Sequence, residues 1–231
     1  MNKFVTLIGG VVLAVTGTVA QAQSVSADVS AASRYDYRGQ EYSNDPTVGF
    51  GVKVSDVGVK GLYVAGTFNK TGDTAPVNAH TQLRSDVGVG YAFDVTDKLK
   101  LDVSANHVYN APEFQTVRNG KLRDGEYSEF RVKASYDVLF AEVGQGWGPV
   151  QNTYAKVGVA VPVTTTLTVG AAVSGYHYKE TAQNSYNNSE VFASFDVTSK
   201  LKAYGKYSFG GKADSNVALA NYGIVGVSYS F

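Results

Sequence analysis

The chain has 231 residues, with 20 Lys and Arg, 20 Asp and Glu, and no cysteine. The missing cysteine excludes disulfides, thiolate metal sites and cysteine nucleophiles, and the balanced charge gives no reason to expect a nucleic-acid partner. The 25 glycines, 16 tyrosines and 11 phenylalanines favour β-structure with many turns.

Residues 1–22 have the pattern of a secretory signal peptide. Lys3 gives a positive start, the next residues are mostly apolar, and Ala20-Gln21-Ala22 is a cleavage motif. We expect cleavage after Ala22 and one domain over residues 23–231. No later segment approaches the roughly 18 continuous apolar residues that a membrane helix needs.

Alternation of apolar and polar residues predicts twelve strands in the remaining chain. Their spans are 24–37, 47–55, 62–69, 82–95, 99–109, 127–137, 139–144, 152–161, 167–178, 189–197, 201–209 and 222–231. The strand at 139–144 has the weakest pattern, so ten strands remain an alternative. The last strand places Val225, Val227, Tyr229 and Phe231 on one face, which is typical of the final strand of an outer-membrane β-barrel.

One face of every predicted strand carries no charge. On the first strand this face includes Ser33, Tyr35 and Tyr37. Charged residues occupy the opposite face, and a Lys or Arg facing lipid at mid-membrane costs roughly 2–4 kcal/mol. The pattern predicts an all-β fold, a transmembrane antiparallel up-and-down barrel. The predicted pore-lining residues are Arg34, Asp36, Arg38, Lys53, Arg84, Asp86, Asp102, Glu129, Arg131, Lys133, Lys156, Glu190 and Lys206.

Connection lengths separate a barrel from a soluble sandwich, which would also alternate. The predicted connections alternate between short ones, such as 96–98 and 198–200, and long ones, such as 38–46 and 110–126. Short turns at one rim and long loops at the other are typical of outer-membrane barrels. The segments around 93–100, 161–167 and 195–202 are similar in sequence, and each falls on a short turn.

Aromatic residues cluster near predicted strand ends, which predicts a girdle at each membrane interface. The outer girdle would hold Tyr35, Tyr37, Phe68, Tyr109, Tyr207 and Phe209, and the periplasmic girdle Tyr91, Phe93, Tyr136, Phe195, Tyr229 and Phe231. Several glycines, for example Gly90, Gly158 and Gly170, would point inward, where they would widen the lumen or relieve strand curvature.

The sequence offers little for catalysis. His80, His107 and His177 are its only imidazoles, and no G-x-S-x-G or H-E-x-x-H motif is present. We expect no catalytic, cofactor-binding or metal-binding residues.

The stretch Ser33-Arg34-Tyr35-Asp36-Tyr37-Arg38-Gly39, followed by Pro46 and a Gly/Val-rich strand, resembles the TorF family of proteobacterial porins. Leu62 to Thr67 continues the resemblance, which covers about the first quarter of the mature chain. Arg34 stands where the family usually has Asp. The resemblance implies an outer-membrane barrel with a pore role, and it implies no catalytic residues.

These patterns lead to three functional hypotheses. The first is a porin-like channel for passive diffusion of ions or small polar solutes, in which mixed lumen charges create a transverse field. The second is a non-conducting structural or surface-binding barrel, whose lumen charges form a packed salt-bridge network. The third is a membrane enzyme, which needs a Ser or carboxylate beside His107 or His177. The expected partners are outer-membrane lipid, the transported solutes, and the barrel-assembly machinery through the strand ending in Phe231.

Overall fold

The computed structural model describes residues 24–71, 83–110, 116–118, 121–123, 127–148, 151–179, 186–213 and 220–231. The predicted signal peptide and His80 lie outside these ranges. Within them, no helix has the length and hydropathy to cross a membrane.

The described residues form sixteen strands. Their bounds are β1 (Ser24–Ala32), β2 (Tyr35–Tyr37), β3 (Gln40–Ser43), β4 (Thr47–Ser55), β5 (Leu62–Thr71), β6 (Leu83–Asp94), β7 (Leu99–Asn110), β8 (Thr116–Arg118), β9 (Lys121–Arg123), β10 (Tyr127–Tyr136), β11 (Leu139–Trp147), β12 (Asn152–Pro162), β13 (Leu167–Tyr178), β14 (Tyr186–Asp196), β15 (Leu201–Ala213) and β16 (Tyr222–Ser230).

Twelve of these strands form one closed antiparallel barrel. β2 pairs with β3 and β8 pairs with β9, each as a separate two-stranded sheet. The barrel closes where β1 pairs with β16, with Ala31 opposite Val227. The amide of Phe231 donates a hydrogen bond to the Ala27 carbonyl at 2.9 Å, which fixes the C-terminus onto the first strand. The predicted all-β barrel of about twelve strands is confirmed.

The two faces of the barrel differ as the alternation predicts. On β12, the outward residue Val157 is 54% exposed, whereas the inward residue Tyr154 is 2% exposed. The outer surface is a belt of exposed apolar side chains, and charged groups such as Glu129 are buried inside. An apolar outer face of this kind is suited to contact with lipid. Closure of the barrel also pairs the backbone hydrogen-bonding groups of the strands, which lipid could not satisfy.

The weakest predicted strand is complete in the structure. β11 runs from Leu139 to Trp147 and pairs with β10 and β12. A two-residue turn at Asp137 and Val138 connects it to β10, with Asp137 at a φ of 55°. The ten-stranded alternative is therefore wrong.

The repeated sequence segments form one recurring turn. In each, the amide of a Leu at the start of the next strand donates to the hydroxyl of a Thr three residues earlier. The pairs are Thr96 with Leu99, Thr164 with Leu167, and Thr198 with Leu201, at 3.0, 2.9 and 2.9 Å. Such side-chain hydrogen bonds stabilise tight turns.

The first predicted strand ends earlier than expected. β1 stops at Ala32, and Ser33 is held to β16 by hydrogen bonds in both directions with Val225. Tyr35 is only 9% exposed, and the hydroxyl of Tyr37 lies 3.2 Å from that of Tyr127 inside the barrel. The prediction that Tyr35 and Tyr37 face lipid in an outer girdle is wrong, because the chain bends inward after Ala32.

The lumen as candidate functional site

The segment Tyr35–Ser43 forms a hairpin inside the barrel, which we call the lumen hairpin. Its tip is the two-residue turn Arg38-Gly39, with φ of 56° and 85°, and Tyr37 pairs with Gln40 across it. Positive φ at both central residues is typical of a type I′ turn, the turn whose twist matches a two-residue hairpin. Gly39 also has no room for a side chain, because a Cβ there would collide with Asn188.

Arg38 fixes one side of the hairpin tip to β10. Its guanidinium makes two hydrogen bonds to the carboxylate of Glu129, and the two side chains are 5% and 0% exposed. The guanidinium also lies over the Tyr154 ring, 4.3 Å from its centre. The two hydrogen bonds and the opposite charge of Glu129 compensate the burial of the Arg38 guanidinium.

Other contacts fix the hairpin to the opposite wall. Asn188 on β14 donates to the Gly39 carbonyl at 3.2 Å. Asp36 pairs with Lys206 on β15 and accepts a hydrogen bond of 2.5 Å from the Tyr222 hydroxyl on β16. The hairpin therefore spans the lumen from β10 to β14–β16. It crosses in the half with the long loops, since β10, β14 and β16 all start at that rim.

The lumen charges are arranged in pairs. Arg131 contacts Glu129, Glu142 and Asp86 at 2.9, 3.5 and 3.4 Å. Lys156 lies 2.5 Å from Glu190, which also faces Lys206 at 3.7 Å. The result is a network in which positive groups lie beside carboxylates, and buried charges are stable when they are paired in this way.

The described residues leave open space in the lumen, including two cavities. One of about 450 Å³ is lined by hairpin residues and by β12, β14 and β15. The other, of about 820 Å³, lies toward the short turns and is lined by Asp102, Lys133 and Glu142 among others. The interior is therefore narrowed by the hairpin but not filled along its whole length.

Four aromatic side chains lie over glycines of the neighbouring strand. Each ring occupies the space that a Cβ on its directly opposed glycine would take. The pairs are Tyr63 with Gly90, Phe140 with Gly158, Phe192 with Gly170, and Tyr204 with Gly226. These inward glycines make room for rings that cover the wall.

The structure brings most of the thirteen predicted pore-lining residues into contact with one another or with the hairpin. Nine form ion pairs: Arg34, Asp36, Arg38, Asp86, Glu129, Arg131, Lys156, Glu190 and Lys206. Arg84 lies over the Tyr37 ring, Lys53 lies over the Tyr63 ring, and Asp102 accepts a hydrogen bond from Tyr63. Lys133 is exposed at the larger cavity. Their role in conduction stays a prediction.

Sequence reasoning missed several groups that hold this network together. Glu142 shares the charged face of its strand, so alternation could have included it. Tyr37 and Glu41 follow the bend after Ala32, where strand alternation no longer reports which way a side chain points. Asn188 has no distinguishing signal in the sequence.

One observation bears on the enzyme hypothesis. On the outer surface, His107 Nδ1 lies 3.2 Å from Ser128 Oγ, and the pair is exposed. Among the described residues, Ser128 is the only hydrogen-bond partner of this ring, so a third group that would orient the imidazole is not seen there. The described residues also hold no cluster of three metal-binding side chains.

The comparisons with known proteins bear on the fold. No protein-family model matches the chain, and no curated protein matches it. Among solved structures it is similar to the KdgM porin, with a TM-score of 0.58 and 11% identity over 89% of this chain and 99% of that one. The NanC porin gives 0.58 and 14% over 88% and 98%. The COG4313 outer membrane channel from Pseudomonas putida F1 gives 0.51 and 11% over 92% and 96%. With its belt of exposed apolar side chains, the chain has the fold of a bacterial outer-membrane β-barrel of the porin type.

Proposed function

We propose that the protein is an outer-membrane channel for passive diffusion of ions or small polar solutes. The observation that carries the proposal is a closed barrel whose charged lumen keeps two cavities beside and below the lumen hairpin. The hairpin narrows the path in the outer half, and the paired charges around it provide a transverse field that orients polar solutes.

Resemblance and fold together support membership of the TorF family. The motif from Ser33 to Gly39 that carries the resemblance coincides with the bend and the first arm of the lumen hairpin. We propose that this motif forms the constriction of the lumen.

Processing and assembly follow from the same proposal. Residues 1–22 would be removed as a signal peptide, and the barrel-assembly machinery would bind the strand that ends in Phe231. Mass spectrometry of the protein isolated from outer membranes should give a mature N-terminus at Gln23, and a start at Met1 would contradict the assignment.

A non-conducting barrel is the second candidate, and the buried pair of Arg38 and Glu129 favours it. In that case the hairpin would be a permanent plug and function would lie in the long loops. The His107–Ser128 contact lacks a third group among the described residues, so we propose transport over catalysis.

Planar-bilayer recording distinguishes the two candidates. The wild-type protein should give discrete conductance steps in KCl. Replacing residues 34–44 with a short Gly-Ser linker should enlarge the steps several-fold, because the constriction is removed. Gly39→Ala should enlarge them less, since it strains the turn and displaces the tip from Asn188.

A matched control replaces the β8–β9 hairpin, residues 116–123, with the same linker. This hairpin is also a separate two-stranded sheet, and its replacement should leave step size near the wild-type value. If the 34–44 variant conducts and the wild-type protein does not, the plugged barrel is favoured. If neither the wild-type protein nor the 34–44 variant conducts, the channel proposal is contradicted.

A further inference from the structure

The smaller lumen cavity has two chemically different walls. It lies between one side formed by Arg34 and the first two hairpin residues, Tyr35 and Asp36, and another formed by side chains of β11, β12, β14 and β15. Its volume of about 450 Å³ falls within the roughly 300–1,000 Å³ that small-molecule sites occupy. It could therefore hold a molecule of one or two sugar rings.

One wall of the cavity is aromatic. Phe140, Phe192 and Tyr204 line it, and each lies over a glycine of the next strand. The centres of the Phe140 and Phe192 rings are 6.3 Å apart. The planes of the Phe140 and Phe192 rings are tilted by 54° to each other, and the ends of the three rings lie over the glycines. This gives an apolar platform against which a flat solute can pack.

The other wall is polar, and each of its charged groups lies in an ion pair. Lys156 pairs with Glu190, and Lys206 pairs with both Glu190 and Asp36. The remaining charge on the lining, Arg34, pairs with Glu41. An ammonium group has three N–H donors and a carboxylate has about four acceptor positions, so these groups keep hydrogen-bonding capacity beyond their mutual contacts. A neutral solute can use that capacity, whereas an ion would have to break a pair.

These walls match the two sides of a pyranose ring, which has a C–H face and a rim of hydroxyl groups. We propose that this cavity is a subsite for a neutral pyranose sugar, with the C–H face on Phe192 and Phe140 and the hydroxyls on Lys156, Glu190 and Lys206. This inference rests on the proposed function, because a sugar subsite in the lumen would identify the class of solute that the channel passes. The binding itself can be measured without any conduction.

The test measures maltose binding to the purified full-length mature barrel in detergent by saturation-transfer NMR. Maltose should bind saturably. Mannitol, an acyclic polyol, should bind far more weakly because it lacks a ring face. Galacturonate and glucosamine should also bind more weakly, since each brings a charge to a site whose charges are already paired.

Two variants locate the site. Phe192→Leu, which keeps an apolar side chain but removes the ring, should weaken maltose binding about tenfold. The matched control is Tyr63→Leu, because Tyr63 also lies over a glycine but does not line this cavity, and it should bind as the wild type does. Phe140→Leu replaces Phe192→Leu if the latter fails to give a folded, heat-modifiable band.

The outcomes separate this inference from the channel proposal. Saturable maltose binding that Phe192→Leu weakens and Tyr63→Leu does not would support the subsite, even if bilayers stayed silent. Absence of maltose binding, equal binding of mannitol, or tighter binding of galacturonate would overturn it, even if the protein conducts.

Discussion

The buried ion pair of Arg38 and Glu129 is the most consequential contact at the scale of single residues. The two side chains come from positions 91 residues apart and are almost fully excluded from solvent. Removing one partner of such a pair leaves an uncompensated buried charge, whereas removing both is far less costly. Glu129 also receives a hydrogen bond from Arg131 at 2.9 Å, so its loss would affect two arginines.

We therefore expect a clear non-additivity in this pair. Glu129→Gln and Arg38→Gln should each destabilise the barrel by about 3–5 kcal/mol, and the double variant should lose less than the sum. The readout is the temperature at which the unboiled protein loses its folded mobility on a gel.

The exposed pair of Lys202 and Asp196 provides the control, because its side chains are 50% and 48% exposed. Asp196→Asn should shift the transition little, since surface pairs contribute about 0–1 kcal/mol. Additive losses at Arg38 and Glu129 would mean that the pair does not fix the hairpin.

At the scale of elements, the pairing of rings with glycines links neighbouring strands. Glycine in a strand normally weakens it, because it adds conformational freedom to the unfolded chain and has no side chain to pack. Here the facing ring covers the glycine and fills the wall at four strand pairs. Three of these rings also form the aromatic wall of the smaller lumen cavity. The pairing of rings with glycines therefore contributes both to packing of the barrel wall and to the shape of this cavity.

This arrangement predicts that two glycine substitutions differ in their effect on the stability of the barrel. Gly170→Ala should destabilise the barrel by about 1–3 kcal/mol, because its Cβ would collide with both the Phe192 ring and the Val159 carbonyl oxygen. Gly205→Ala should be tolerated, since the nearest atom to its Cβ would be the Ile224 carbonyl oxygen at 3.8 Å. Urea-dependent unfolding in lipid vesicles compares the free energies of unfolding of the two variants. Equal values would mean that the Phe192 ring and the Val159 backbone both shift at no cost.

At the scale of the whole molecule, the barrel separates two solvents. Its outer surface is a continuous apolar belt, and its interior holds a network of paired charges. The apolar belt matches lipid, and the paired charges limit the cost of burying ionised groups in a narrow lumen.

A charge on the outer belt tests the solvent assignment directly. Val157→Lys, at a position 54% exposed in the middle of β12, should destabilise the vesicle-inserted barrel by about 2–4 kcal/mol. Val157→Leu is the control and should change the free energy of unfolding little. A tolerated lysine would show that this face does not contact hydrocarbon.

Much of the site's residue list follows from the sequence, whereas its assembly does not. Lys156, Glu190 and Lys206 are identified correctly as inward because each lies within a regular strand, where side chains alternate. Tyr35 and Tyr37 are assigned to the wrong face because alternation holds only while a strand continues. Nothing local in the sequence reports that the chain bends after Ala32.

The sequence by itself determined the twelve barrel strands, the phase of their side chains and the short turns between them. The reason is that one side of each barrel strand contacts lipid and the other faces the lumen, so apolar and polar residues must alternate. Only the tertiary structure decided that Tyr35–Ser43 crosses the lumen and that Asp36 meets Lys206. The contacts of this hairpin join residues as much as 186 positions apart, and closure of the barrel brings them together.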